Sequence, residues 1–296
     1  MTGFFSRPAS SPHTSHPRAQ LRPSHLSLLP EEPKDMPPVV PSTGGSHYSD
    51  PDPESEPLNV DPAATLSPAN DDMGSDEQFV KLEGRPGDVT ALSAAYVSAA
   101  VFVVATWAIV LTNNPTSLGL FFFHPILQSL SIAMFTYGIL TLQPTSKAKT
   151  KAAGLTRHQL AMMALGVPAI SLGTLAIVRR KAQHESPHFT TWHGTLGIIA
   201  VSWLVIQVVV GGGSVWFGGR LFGGNPKAKS VWKYHRLSGY LLFPLFLLVA
   251  HLGGAWSSWS TGASGYFVRL LAFTITPIVL LGAILVRLRT SKMQFL

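Results

Sequence analysis

The chain has 296 residues, no cysteine and a formal net charge of +7, and that charge is a sum over two unlike parts. Fourteen of the fifteen Asp and Glu lie between Glu31 and Asp88, and beyond Asp88 only Glu185 faces sixteen Lys and Arg. Disulfides and thiolate-held metals are excluded, and basic residues bordering apolar runs are the pattern of a membrane protein, not of a nucleic-acid binder.

Residues 1–88 are rich in Pro, Ser and acidic residues, as in "RPASSPHTSHPR" and "DPDPESEPLNVDP". Such a segment cannot bury enough apolar surface to offset its ordering entropy, so a disordered tail is expected. Its start, "MTGFFSRPASSP", lacks the apolar run of a cleaved signal peptide. From residue 89 to 290 six apolar runs follow, each long enough to span ~30 Å of hydrocarbon at ~1.5 Å per residue. They are Thr90–Leu111, Leu118–Leu142, Arg157–Val178, Thr191–Gly212, Val231–Gly253 and Tyr266–Val286. Residues 291–296 form a short terminal tail. The expected fold is an all-α membrane protein, a bundle of six transmembrane helices.

The connections after the second and fourth runs carry Lys147, Lys149, Lys151 and Arg157, then Arg220, Lys227, Lys229, Lys233 and Arg236. The opposite connections are uncharged except for "RRKAQHESPHF". The positive-inside tendency then places both termini in the cytoplasm, of a plasma membrane or an endomembrane.

His124, His158, His193 and His235 fall near the starts of runs two, three, four and five. Antiparallel neighbours reverse direction at each crossing, so His124 shares the exoplasmic side with His193, and His158 shares the cytoplasmic side with His235. Interfacial histidines bonded to water or headgroups are the alternative reading, and with it a non-catalytic transporter or scaffold. Calcium and magnesium need several oxygen ligands, and zinc needs three or four protein ligands. Haem needs only two axial imidazoles, because the porphyrin supplies four nitrogens. Gly197 and Gly239, each four residues after a histidine, are expected to make room for a flat group on the same helix face.

The segments "FHPILQSL" at His124, "TRHQL" at His158, "PHFTTWHGTLG" at His193 and "KYHRLSGY" at His235 resemble the signature segments of the cytochrome b561 family, in particular its short transmembrane reductase members. The resemblance implies a four-helix core holding two haem b groups, with axial pairs His124/His193 and His158/His235. It also implies an oxidoreductase that passes electrons from cytosolic ascorbate to ferric iron or monodehydroascorbate across the lipid bilayer. No nucleic acid is involved, and the oligomeric state stays open, a homodimer included. Where many ascorbate-oxidising members carry an Arg-rich motif, this chain reads "GILTLQPTSKAKTK".

Ascorbate is an anion, so Lys147, Lys149, Lys151, Arg157, Lys233 and Arg236 are candidate donor-site residues beside the cytoplasmic pair. His184 and His188 flank the exoplasmic pair and are candidates for an acceptor pocket. His251, sixteen residues after His235, has no counterpart helix bearing a second such pair and is expected not to be a ligand. The glycine-rich run "GGGSVWFGGRLFGGNP" follows an apolar helix, not a strand, so it reads as a flexible exit into a loop instead of a dinucleotide site.

Overall fold

The computed structural model describes residues 85–143 and 148–289. Residues 1–84 of the expected tail, the segment 291–296, Lys147 and the side chain of Lys149 lie outside the described residues. Among the described residues all regular structure is helical, as lipid requires of a chain that must satisfy its own backbone polar groups. Six helices are long and apolar enough to cross a membrane: α1 (Asp88–Thr112), α2 (Pro115–Leu140), α3 (Thr150–Gln183), α4 (Trp192–Phe222), α5 (Asn225–Trp256) and α6 (Tyr266–Arg287). They make the chain an integral, multi-pass membrane protein.

Each helix packs most extensively on one partner: α2 on α3, α4 on α5, and α1 on α6. On α1 the buried Ala91, Ala95 and Ala99 recur every fourth residue, a small-residue stripe of the kind that lets membrane helices approach closely. Polar side chains tie the central pairs. In α2, Gln128 Nε2 donates to the Ile170 carbonyl at 3.2 Å, and Ser131 Oγ to the Gly166 carbonyl at 3.0 Å. Between α4 and α5, Trp203 Nε1 donates to Ser238 Oγ at 2.8 Å.

Three helices outrun their apolar runs. α3 is helical from Thr150, not Arg157, and α5 from Asn225, not Val231. Apolarity marks the thickness of the bilayer, whereas "TKAAGLT" and the Pro226 start of α5 are compatible with helix in water. The glycine-rich run is likewise not a loop throughout. Gly211 to Val215 complete the regular part of α4, and the chain then turns through positive φ at Phe217, Gly218 and Gly219. A side chain at Gly219 would overlap that of Ala228, so the exit is held close to α5.

Two helices contain wide π turns, Leu160–Gly166 in α3 and Leu271–Ile275 in α6. They lie just ahead of Pro168 and Pro277. Proline has no N–H to return to the carbonyl four residues earlier, and its ring crowds that carbonyl. A locally widened turn relieves the clash.

Asp88, counted with the tail from its letters, is the first residue of α1 and only 1% exposed. Its carboxylate is ion-paired with Arg289 and accepts the backbone N–H of Arg85 at 2.8 Å. Arg287, 2% exposed, donates to the Asp88 carbonyl at 2.6 Å and to the Gln143 carbonyl at 2.5 Å. This clasp joins the start of α1 and the end of α6 to the residue that ends the helix-α2 turn. Distances of about two hundred residues in sequence hid it from pattern reading.

Candidate cofactor-binding site

The four central helices bring the histidines together in two pairs. The rings of His124 and His193 have centroids 5.9 Å apart at 84°, and those of His158 and His235 lie 6.3 Å apart at 90°. One ion bonded to both facing nitrogens at roughly 2 Å, with each ring centre about 1.1 Å behind its nitrogen, needs centroids roughly 6 Å apart. Both pairs meet that spacing. Along the helices the two levels are set apart by roughly 21–27 Å, the rise of fourteen to eighteen residues between a histidine and the residue beside the next ring at ~1.5 Å each.

Three of the rings are held in one tautomer. Nδ1 of His124 donates to the Gly173 carbonyl at 3.1 Å, Nδ1 of His158 to Gly138 at 3.0 Å, and Nδ1 of His193 to Val249 at 2.9 Å. A carbonyl only accepts, so the proton sits on Nδ1 and the lone pair of Nε2 is left for a metal. Between α2 and α3 the bracing is reciprocal, each holding the other's histidine, whereas between α4 and α5 only the His193 ring is held, by the Val249 carbonyl of α5. On α4, Gln207 Nε2 donates to the His235 carbonyl at 2.6 Å. Local structure sets the helix starts, since the Thr191 hydroxyl caps α4 by accepting the Gly194 N–H at 3.2 Å, one residue beyond His193.

The glycines that matter are on the neighbouring helix. A Cβ at Gly253 would sit 2.6 Å from Cε1 of His193, and one at Gly211 would overlap the His235 ring. Gly197 would bring its Cβ only into ordinary contact with Val249, at 3.6 Å, while Gly239 does line the cavity beside His158 and His235. A Gly253→Ala variant is therefore expected to push the His193 ring from its place, an overpacking cost of about 1–3 kcal/mol, and to lower the haem content of the purified protein. Gly197→Ala should leave the absorption spectrum unchanged. Helix rotation decides which glycine meets a ring, and a lone spacing of four does not reveal it.

His251 is engaged on both nitrogens. Nδ1 donates to the Phe273 carbonyl at 2.8 Å, and Nε2 accepts from Trp256 Nε1 at 3.1 Å. Phe273 is four residues before Pro277, which has no N–H to return to its carbonyl, and His251 supplies a donor there.

The cations and loop histidines are distributed unevenly. Lys151 and Arg236 line the cavity at the His158 end; Arg157 and Lys233 are not part of its lining, and Lys233 stands 5.4 Å from the ring centre of Tyr234. His184 and His188 are exposed in the connection between α3 and α4, at the His124 end, with His188 against Phe189. At that same end Arg180 lies 5.6 Å over the ring of Phe121, which neighbours His124 at 6.3 Å, an arrangement that the letters "RRK" did not disclose. No group of three or more metal-ligating side chains comes together among the described residues. Two imidazoles per level, with nothing further from the protein, suit a metal whose other ligands arrive with it, as in haem.

Six membrane-spanning helices with two facing imidazole pairs are an arrangement suited to a membrane cytochrome. The family model for eukaryotic cytochrome b561 matches residues 123–261, a stretch that contains all four histidines. The transmembrane reductase CYB561D2 of Bos taurus is 28% identical over 171 residues, 56% of this chain and 75% of the relative. That of Homo sapiens matches at 28% over 171 residues, and that of Mus musculus at 29% over 176, with the same coverage. Over residues 123–261 the chain is similar to the cytochrome b561 family, whose proteins bind haem b. The likeness to transmembrane reductases supports a role in electron transfer across a membrane.

Proposed function

We propose that the chain holds two haem b groups, one between His158 and His235 and one between His124 and His193, and relays electrons from cytosolic ascorbate to ferric iron or monodehydroascorbate on the other side. The observation that carries this reading is the pair of ring-to-ring spacings, each matched to a bis-imidazole iron. Haem, when bound, supplies the one-electron couple. The protein's own part is to fix each Nε2 lone pair, to keep water from the ring pairs with apolar helices, and to present charge at the two ends.

The His158 end is the cytosolic end in this reading, because Arg220, Lys227, Lys229, Arg287 and Arg289 cluster there and satisfy the positive-inside tendency. Lys151 and Arg236, on the cavity wall, are placed to attract an anionic donor, with Arg157 and Lys233 adding to the local field. His184 and His188 serve the acceptor at the far end.

In liposomes of known orientation, ascorbate added on the face of the His158 end is expected to reduce a ferric chelate trapped on the opposite side. A Lys233→Gln/Arg236→Gln double variant should need more ascorbate for the same rate, by about tenfold if one ion pair is lost at each site, with reduction by dithionite unaltered. Equal rates from either face would refute the assigned direction, and unaltered ascorbate dependence in the double variant would refute the entry site.

A further inference from the structure

At the His158 end the four central helices enclose a cavity of about 280 Å³. Five buried side-chain nitrogen or oxygen atoms among the described residues lack a hydrogen-bond partner, and three of them belong to residues that line this cavity: Trp232, His235 and Gln143. Leaving such a group buried and unpaired is costly, so three on residues around a single void mark a partner that the protein itself does not supply.

The chemistry of that partner follows from the donors. Trp232 Nε1 can only donate. Gln143 has one end of its amide bonded to the Tyr240 hydroxyl at 2.5 Å and the other end free. A phenol donates as readily as it accepts, so the amide can turn, taking the Tyr240 proton on its oxygen and leaving its NH₂ for the cavity. Lys151 and Arg236 add positive charge, and no Asp or Glu is among the described lining residues. Convergent N–H donors within a cationic, carboxylate-free wall suit an oxyanion. Trp232 precedes His235 by one turn of α5, and Gln143 follows the end of α2, so both lie toward the bundle end from the ring pair.

We infer that Trp232 and Gln143 anchor a carboxylate-type oxyanion at the mouth of this cavity. The inference rests on the reading of the cavity as a haem site. The oxyanion has two sources, a propionate of the haem or the acidic enediol of the donor, which is a vinylogous carboxylate. In either case Tyr240 is a positioning residue, since it acts through the Gln143 amide.

The test is Trp232→Phe in the full-length purified protein, which keeps the ring and removes the N–H, with Gln143→Leu as the second variant. If the anchored group is a propionate, haem passes to apomyoglobin about tenfold faster, the effect of one hydrogen bond to a charged acceptor, and one midpoint potential shifts while the ascorbate dependence holds. If it is the donor, haem transfer and potentials stay as in the wild type and the ascorbate concentration for half-maximal reduction rises by a similar factor. Haem transfer, potentials and ascorbate dependence all unchanged in Trp232→Phe would overturn the anchor while leaving the haem reading intact. A wild-type protein without a b-type spectrum would instead remove the haem reading, and the anchor with it.

Discussion

Replacing His193 by alanine is expected to remove half of the haem and leave the rest spectrally normal. The two ring pairs share no side chain, and their levels are separated by roughly 21–27 Å of helix at ~1.5 Å per residue. Loss of one imidazole therefore opens one site without disturbing the other. His124→Ala should reproduce the effect, and His158→Ala and His235→Ala should each abolish the other half. The control is His251→Ala. Its ring bridges α5 to the carbonyl of Phe273 and to Trp256, so its loss costs about 1–3 kcal/mol from an orphaned buried carbonyl but no haem. Pyridine haemochrome analysis of the five variants decides the matter, and full haem content in His193→Ala would refute the pairing.

The second large effect is expected at Arg287. Its guanidinium serves two carbonyls, those of Asp88 and Gln143, from a position 2% exposed to solvent. Arg287→Met leaves both carbonyls unpaired and exposes the Asp88 carboxylate to loss of a neighbouring charge, which together cost about 3–5 kcal/mol. For a domain of this size the thermal midpoint in detergent should fall by roughly 10 °C. Arg289→Gln should cost less, because that side chain is at the margin of the clasp, 13% exposed, and water can replace part of what it gives Asp88. Equal thermal midpoints for Arg287→Met and wild type would show that the clasp contributes nothing.

The pairing of histidines was legible in the letters because it depends only on helix direction, and direction alternates in any bundle with short connections. The six spans were legible for the same elementary reason, the thickness of hydrocarbon. What braces the rings was not. Gly138, Gly173, Gly211 and Gly253 stand beside the histidines through rotation about the helix axes, a variable on which a single sequence is silent. Asp88, Arg287 and Arg289 meet across the full length of the domain, so a carboxylate assigned to the tail turned out to be the first buried charge of α1. Pro168 and Pro277 did carry a signal for the π turns, and through Pro277 for the placement of His251, but a proline in a membrane helix predicts a perturbation without predicting which side chain repairs it.

The bracing of the rings within α2/α3, and of His193 within α4/α5, has a bearing on how the molecule comes to exist. Each hairpin can settle in the bilayer with imidazoles already turned, His124 and His158 in the first and His193 in the second. Neither hairpin alone holds a complete site, since each level needs one ring from both. Under the two-haem proposal, iron would join two halves built separately, and a shortage of haem during synthesis would leave the hairpins inserted without that joint.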